Sequence, residues 1–180
     1  MTSGSLSGCG VLVTRPAAQA PTLAEAIEAA GGSALLFPVL VIEPVPLAID
    51  PPPEADWYIF ISPNAVKHGW PLVAAQAANA RIAAIGPGTA QALTQLGHPA
   101  DVHPQKGDSE NLLAASVLQS MEGQRVVIVR GDGGRELIAE TLKQRGAQVG
   151  YLEVYRRALS SESTAELNAA WREGRLQAVT

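Results

Sequence analysis

Apolar and polar positions alternate along this chain in two ways: short apolar runs, then longer segments with helical spacing. Val11-Leu12-Val13 reads as a strand. The segment after it places Leu23, Ala24 and Ile27 on one face before Gly31-Gly32 stops it. Ala34 to Val45 is extended and interrupted by Pro38 and Pro44, with Pro46 just beyond; connectors and edge strands tolerate such prolines and helices do not. Pro51-Pro52-Pro53 predicts a stiff spacer. A second series opens at Trp57-Tyr58-Ile59-Phe60-Ile61 and predicts a helix from about Pro63. Ile82 to Ile85 is the next strand, followed by a helix that carries Leu93 and Leu96 and ends at Gly97. Ala100 to His103 predicts a short strand. Asp108 or Ser109 caps a helix with Leu113, Val117 and Met121 at i, i+4 and i+8. Val126-Val127-Ile128-Val129 is a buried strand, and Leu137, Ile138 and Leu142 mark the helix that Gly146 stops. Gln148 to Arg157 is extended again. Ser163 with Glu166 predicts a capping box for a helix through Leu167 and Trp171, and Leu176 to Thr180 opens another strand.

This rhythm predicts an α/β fold of parallel sheets with flanking helices on both faces. The two extended connectors, near Leu40 and Val154, predict more. Residues 41–155 form one lobe inserted into an outer lobe made of 1–40 and 156–180. An apolar strand that opens at Leu176 without a following turn predicts an outer lobe truncated at its C-terminus.

Composition narrows the class. Of the 180 residues, 47% are hydrophobic, enough for a buried core, and 17% are charged, too few for a disordered chain. A net charge of −4 disfavours a nucleic-acid partner. Cys9 is the one cysteine, so neither an internal disulfide nor a thiolate metal site can form, which fits a reducing compartment. The opening MTSGSLSGCG lacks an apolar region and reads as a disordered leader. No apolar run is long enough to span a bilayer, so the expected location is the cytoplasm.

In open parallel sheets, ligands bind beyond the carboxyl ends of the strands. Those ends are Thr14-Arg15-Pro16, Ser62-Pro63-Asn64, Gly86-Pro87-Gly88-Thr89 and Arg130 to Arg135. Each precedes a helix, whose free N–H groups attract carboxylates or phosphates. Ser62 and Pro63 also suit a plain helix cap, and Thr14, Thr89 and the glycines suit turns. Nucleotide motifs fail: glycine would be needed at Glu136 or Gln91, and no P-loop lysine follows. His68, His98 and His103 lack metal spacing, and His98 and His103 read as exposed. Trp57 and Trp171 read as packing residues and Arg156-Arg157 as a solvated pair. Tyr155 ends a connector, where packing and catalysis are equally compatible with an aromatic phenol.

Several of these segments occur together in one family. VLVTRP at Val11–Pro16, FISPNAV at Phe60–Val66, AAIGPGTAQAL at Ala83–Leu93, SENLL at Ser109–Leu113, the stretch Val126–Val149 and EVYRR at Glu153–Arg157 resemble the uroporphyrinogen-III synthase family in order and spacing. The resemblance implies two α/β lobes with a small-molecule cleft between them. It implies ring closure of the linear tetrapyrrole hydroxymethylbilane to uroporphyrinogen III, with inversion of the last pyrrole ring and loss of water. It implies no cofactor and no metal, no membrane partner, and a monomer once the outer lobe is complete. Tyr155 and Thr89 become the catalytic candidates. Thr14, Arg15, Ser62, Asn64, Arg130 and Gly131 become candidates for holding substrate. Ile61 stands where the family often has threonine. Two other readings remain open: a non-catalytic two-lobed binder of small anions, and a regulatory or inactive fragment of the same family.

Overall fold

The computed structural model describes residues 4–46 and 52–180. Strand β1 (Gly10–Val13) is followed by helix α1 (Ala20–Ala29), β2 (Ser33–Leu36) and β3 (Leu40–Pro44). Next come β4 (Trp57–Phe60), α2 (Pro63–Val73), β5 (Arg81–Ala84), α3 (Pro87–Gln95) and the short α4 (Ser109–Leu113). Then follow β6 (Arg125–Gly131), α5 (Leu137–Gln144), β7 (Gln148–Leu159), α6 (Ala165–Arg172) and β8 (Ala178–Val179). The strands form two sheets, ordered β2-β1-β8 and β3-β7-β6-β4-β5. β1 pairs in parallel with β2 and β8, β4 with β5 and β6, and β6 with β7, so the α/β class with parallel sheets is the one adopted. The chain divides into two compact units, Met1–Glu43 with Arg157–Thr180, and Pro44–Arg156. Part of the N-terminal leader and Pro51 of the proline spacer lie outside the described residues.

In the first unit, β1 is central and buried. Val11 and Val13 pack with Ala20 and Ile27 of α1. The polar opening is not a disordered leader where it is described. The Leu6 amide donates to Ala30 O at 2.9 Å, and Leu6 and Cys9 pack against the same cluster, so this small core draws on the turn before β1. The capping box at Ser163 does not form either. The helix starts one residue later: Thr164 is its N-cap, without a side-chain bond, and the Ser163 hydroxyl merely accepts from Ala165 N–H at 3.3 Å. Trp171 does not pack; it is 70% exposed on α6.

In the second unit, β4 lies between β5 and β6, and all four of its residues are buried. One face of the sheet carries Trp57, Ile59, Val126 and Ile128, packed against Leu112, Leu118, Met121, Ile138 and Leu142. The other face carries α2. That helix comes close because residue 69 is glycine: a Cβ there would sit 2.4 Å from Val129 Cγ1. The segment after Asp108 corrects one expectation. Asp108 does cap, accepting from Asn111 N–H at 2.7 Å, but α4 ends at Leu113. Ala115 turns extended (ψ 131°) and a 3-10 turn follows at Ser116–Leu118, so Leu118 is buried and Val117 is exposed. The strand expected at Ala100–His103 is reduced to a bridge between Ala83 and Val102.

Candidate functional site

The carboxyl ends of β4, β5, β6 and β7 lie along one edge of the larger sheet. After β4, Ser62 is the N-cap of α2: its extended backbone lets Oγ accept from Ala65 N–H at 3.0 Å, and Pro63 fills the first helical position. The same Oγ lies 3.1 Å from the Tyr155 hydroxyl in a hydrogen bond that either oxygen can donate. The Tyr155 ring covers Gly131, where a Cβ would fall 2.6 Å from Cε2 and Cζ. His68, one and a half turns into α2, is half-buried with its ring centroid 6.0 Å from that of Tyr155. Burial and then the neighbouring Lys67 charge hold its pKa below the ordinary histidine value. Tyr155, Ser62 and Gly131 are thus brought together. Thr89 is buried in the first turn of α3, beyond β5, and Asn64 is half-buried in the first turn of α2. The strand order puts β4 and β6 between Thr89's strand and Tyr155's. The Tyr155 hydroxyl already crosses from β7 to Ser62 at the end of β4, the strand beside β5.

Tyr155 reaches this face through an irregularity. Arg130 pairs with Glu153, but Gly131 pairs with Tyr155, so Val154 is an extra residue on β7. Period-two alternation puts Tyr151 and Glu153 on one face and Val154 on the other. Val154 faces α2, its Cγ2 3.5 Å from the position of a Gly69 Cβ. Tyr155 would return to the first face, but the shift leaves it beside Val154 under α2. Bulges re-aim side chains in this way, and they recur near active sites.

The first face carries Arg130, which is 7% exposed. Its guanidinium meets Glu136 Oε1 at 2.9 Å and Glu153 Oε1 at 3.1 Å, and lies 3.7 Å over the Tyr151 ring. The Tyr151 hydroxyl donates to Glu136. Burial pushes the Tyr151 phenol up, the bond to the Glu136 carboxylate adds to it, and the result is about 12. The same bond, with that from Arg130, holds Glu136 below the ordinary carboxylate range. Burial opposes the charge of Arg130, and its bonds to Glu136 and Glu153 outweigh it, so its pKa is raised. One positive charge faces two negative ones, so the guanidinium is already neutralised.

A recess of about 190 Å³ opens on this face, lined by Ile61, Ile85, Ser109, Ile128, Arg130, Arg135 and Ile138. Ligand pockets commonly run to about 300–1,000 Å³, so this recess is small for a whole ligand. Larger hollows, of about 520 Å³ beside Gly10, Ser33 and Gln177 and about 390 Å³ beside Ala80 and Ile82, lie at the amino ends of strands. Parallel sheets do not bind ligands there. In the first unit, Thr14 follows β1, its hydroxyl donating to Thr180 O, and Arg15 is exposed. Among the described residues no cluster of three or more His, Cys, Asp or Glu is placed to hold a metal, and no helix is long and apolar enough to cross a membrane.

Comparison with known proteins decides the family. The family model described as uroporphyrinogen-III synthase HemD matches residues 21–180. A uroporphyrinogen-III synthase of Proteus mirabilis is 32% identical over 93% of this chain and 89% of its own length. The chain belongs to the uroporphyrinogen-III synthase family. The synthase of Escherichia coli K12 is 34% identical over 89% of this chain and 70% of its own. In fold, the chain matches a mutant uroporphyrinogen III synthase of Thermus thermophilus with a TM-score of 0.64 and 21% identity, over 95% of this chain and 71% of that one.

Within this member of the uroporphyrinogen-III synthase family, three of the residues expected from the sequence, Tyr155, Ser62 and Gly131, lie together, whereas the company of Arg130 was not expected. Tyr151 and Glu153 stand two apart on an extended run, which is a signal for a shared face. Their meeting with Arg130 depends on the β6–β7 register, and that of Glu136 on the turn through Gly133 and Gly134, both with positive φ. His68 has no metal spacing in the sequence. Its place one and a half turns after the Ser62 cap was the available clue to its nearness to Tyr155.

Proposed function

We propose that the chain catalyses the reaction for which its family is named. It closes hydroxymethylbilane to uroporphyrinogen III, inverting the last pyrrole ring and releasing water. The observation that carries this reading is the Ser62–Tyr155 hydrogen bond above Gly131 at the carboxyl edge of the sheet, in a chain of this family. Ring closure without inversion needs no enzyme, so the protein's task is mainly geometric. It holds the last ring so that its substituted carbon meets the reactive methylene. Tyr155 is the candidate donor to the departing hydroxide. Thr89, buried in the first turn of α3, is the second catalytic candidate. Asn64, the α2 and α3 N-termini and, in the first unit, Thr14 and Arg15 take substrate carboxylates. Arg130 is the exception, because Glu136 and Glu153 already meet its charge. In this reading residues 41–155 form a lobe inserted into an outer lobe of residues 1–40 and 156–180, close to the compact units Pro44–Arg156 and Met1–Glu43 with Arg157–Thr180.

The test is Tyr155→Phe, which keeps the ring over Gly131 and removes the hydroxyl. Since Tyr155 is 2% exposed, packing is the competing role. We expect the melting temperature to hold and the rate of type III formation to fall by roughly tenfold. That is less than general acid catalysis usually supplies, because positioning carries most of the barrier reduction. Full activity would remove the donor role. Equal loss of activity and stability would make Tyr155 a packing residue. Binding of hydroxymethylbilane by the unaltered chain without turnover would favour a small-anion binder.

A further inference from the structure

We propose that Arg130, Glu136, Tyr151 and Glu153 form a positioning cluster for Tyr155, pinning on one face of the sheet the register shift that delivers Tyr155 to the other. The inference rests on the reading of Tyr155 above. Arg130 and Glu153 are the last pair in register before the shift. The buried guanidinium ties Glu153 of β7 to Glu136, which follows the loop after β6, with bonds at 3.1 and 2.9 Å. Tyr151, the previous residue of β7 on that face, lies under the guanidinium and donates to Glu136. The three side chains around Arg130 therefore fix where β7 stands against β6 at the residue before the slip. Beyond it, the Asp132 amide donates to Tyr155 O at 2.8 Å, holding the shifted register. Without the cluster, the competing arrangement pairs Gly131 with Val154. A slip of one residue turns each following side chain to the other face. Tyr155 would then leave Ser62 and Gly131. None of the four cluster residues need touch substrate.

The experiment uses the full chain with tyrosine labelled at 13Cζ. There are three tyrosines, and the Tyr155 resonance is the one lost in Tyr155→Phe. Glu153→Gln keeps the shape and removes the charge. We expect it to shift or broaden the Tyr155 resonance, and to lower kcat about tenfold at nearly constant KM. This lies inside the roughly hundredfold cost of misplacing a reacting group by about 1 Å. In a Tyr155→Phe background, Glu153→Gln should lower kcat no further, because the two changes act through one group. Glu153→Asp should recover part of the loss. Tyr151→Phe, which deletes only the bond to Glu136, should shift the resonance less and in the same direction. An unmoved Tyr155 resonance in a folded Glu153→Gln protein overturns the inference, and so do losses that multiply in the double variant. If Tyr155→Phe alone keeps full activity, the donor role of Tyr155 falls, and the resonance comparison still decides the cluster.

Discussion

A methyl group added at Gly131 would lie 2.6 Å from the Tyr155 ring, closer than side-chain carbons pack. Gly131 is not among the glycines with positive φ, so its backbone is open to any residue and the whole cost of substitution is steric. Gly131→Ala should therefore push the ring away from Ser62. We expect type III formation to fall at least as far as in Tyr155→Phe, with a stability loss of about 1–3 kcal/mol from overpacking. Gly133→Ala is the contrast. Nothing lies within 4 Å of its Cβ position, but its φ of 64° is unfavourable for alanine. That variant should lose stability, and its turnover should fall less than in Gly131→Ala, because it acts only through the turn that places Glu136. Steady-state rates beside thermal melts of the two proteins separate a residue that makes room for a side chain from one that makes a turn.

Helix α2 shows how one element sets a site. Ser62 caps it, Gly69 lets it settle on Val129, and between them His68 faces Tyr155. Ser62→Ala should cost about 1 kcal/mol through the lost cap, together with a fall in rate through the lost partner of Tyr155. Ser62→Thr should keep both in melts and turnover assays. This element was legible in the sequence because its signals are local: a four-residue buried strand, then serine and proline at the cap and first position. The same holds for β5 with α3 and for β6. What was illegible depends on partners distant along the chain. Alternation from Tyr151 and Glu153 predicts Tyr155 on their face, and only the register against β6 overrides it. The helical spacing of Leu113, Val117 and Met121 is real, but extended Ala115 breaks it, and Leu118 takes the buried place. The site was half visible for the same reason. Its cap and its glycine announce themselves, whereas Arg130's partners stand 6 and 23 positions away.

For the molecule as a whole, these environments set how stability depends on pH, and among the described residues the shifted groups belong to the unit Pro44–Arg156. On the acid side, Asp56 is held low first by the Arg125 backbone amide, then by that residue's side chain. Asp108 is held low by the amide and side chain of Asn111, and Glu136 by Tyr151 and Arg130. Depressed carboxylates stabilise above their unfolded values, and that contribution goes as pH falls through their folded ones. Neutral His68 has the same sign: its contribution is present above 6.5 and is lost below it. On the alkaline side the sign reverses. Burial first, then the Glu54 charge, pushes Tyr58 up, while burial and Glu136 raise Tyr151 from 10.0 to about 12. A phenol whose pKa is raised on folding stabilises below 10, and that contribution disappears as pH climbs towards 12. The melting temperature should therefore be flat between about pH 7 and pH 10 and fall on both sides. Tyr151→Phe has no phenol to ionise, so its decline between pH 10 and 12 should be shallower than that of the unaltered chain, with Tyr58 supplying the remainder. Melts at pH 8 and pH 11 on both proteins measure this. An equal alkaline drop in the two would mean that the Tyr151–Glu136 bond does not hold the phenol neutral, and would separate Tyr151 from the cluster around Arg130.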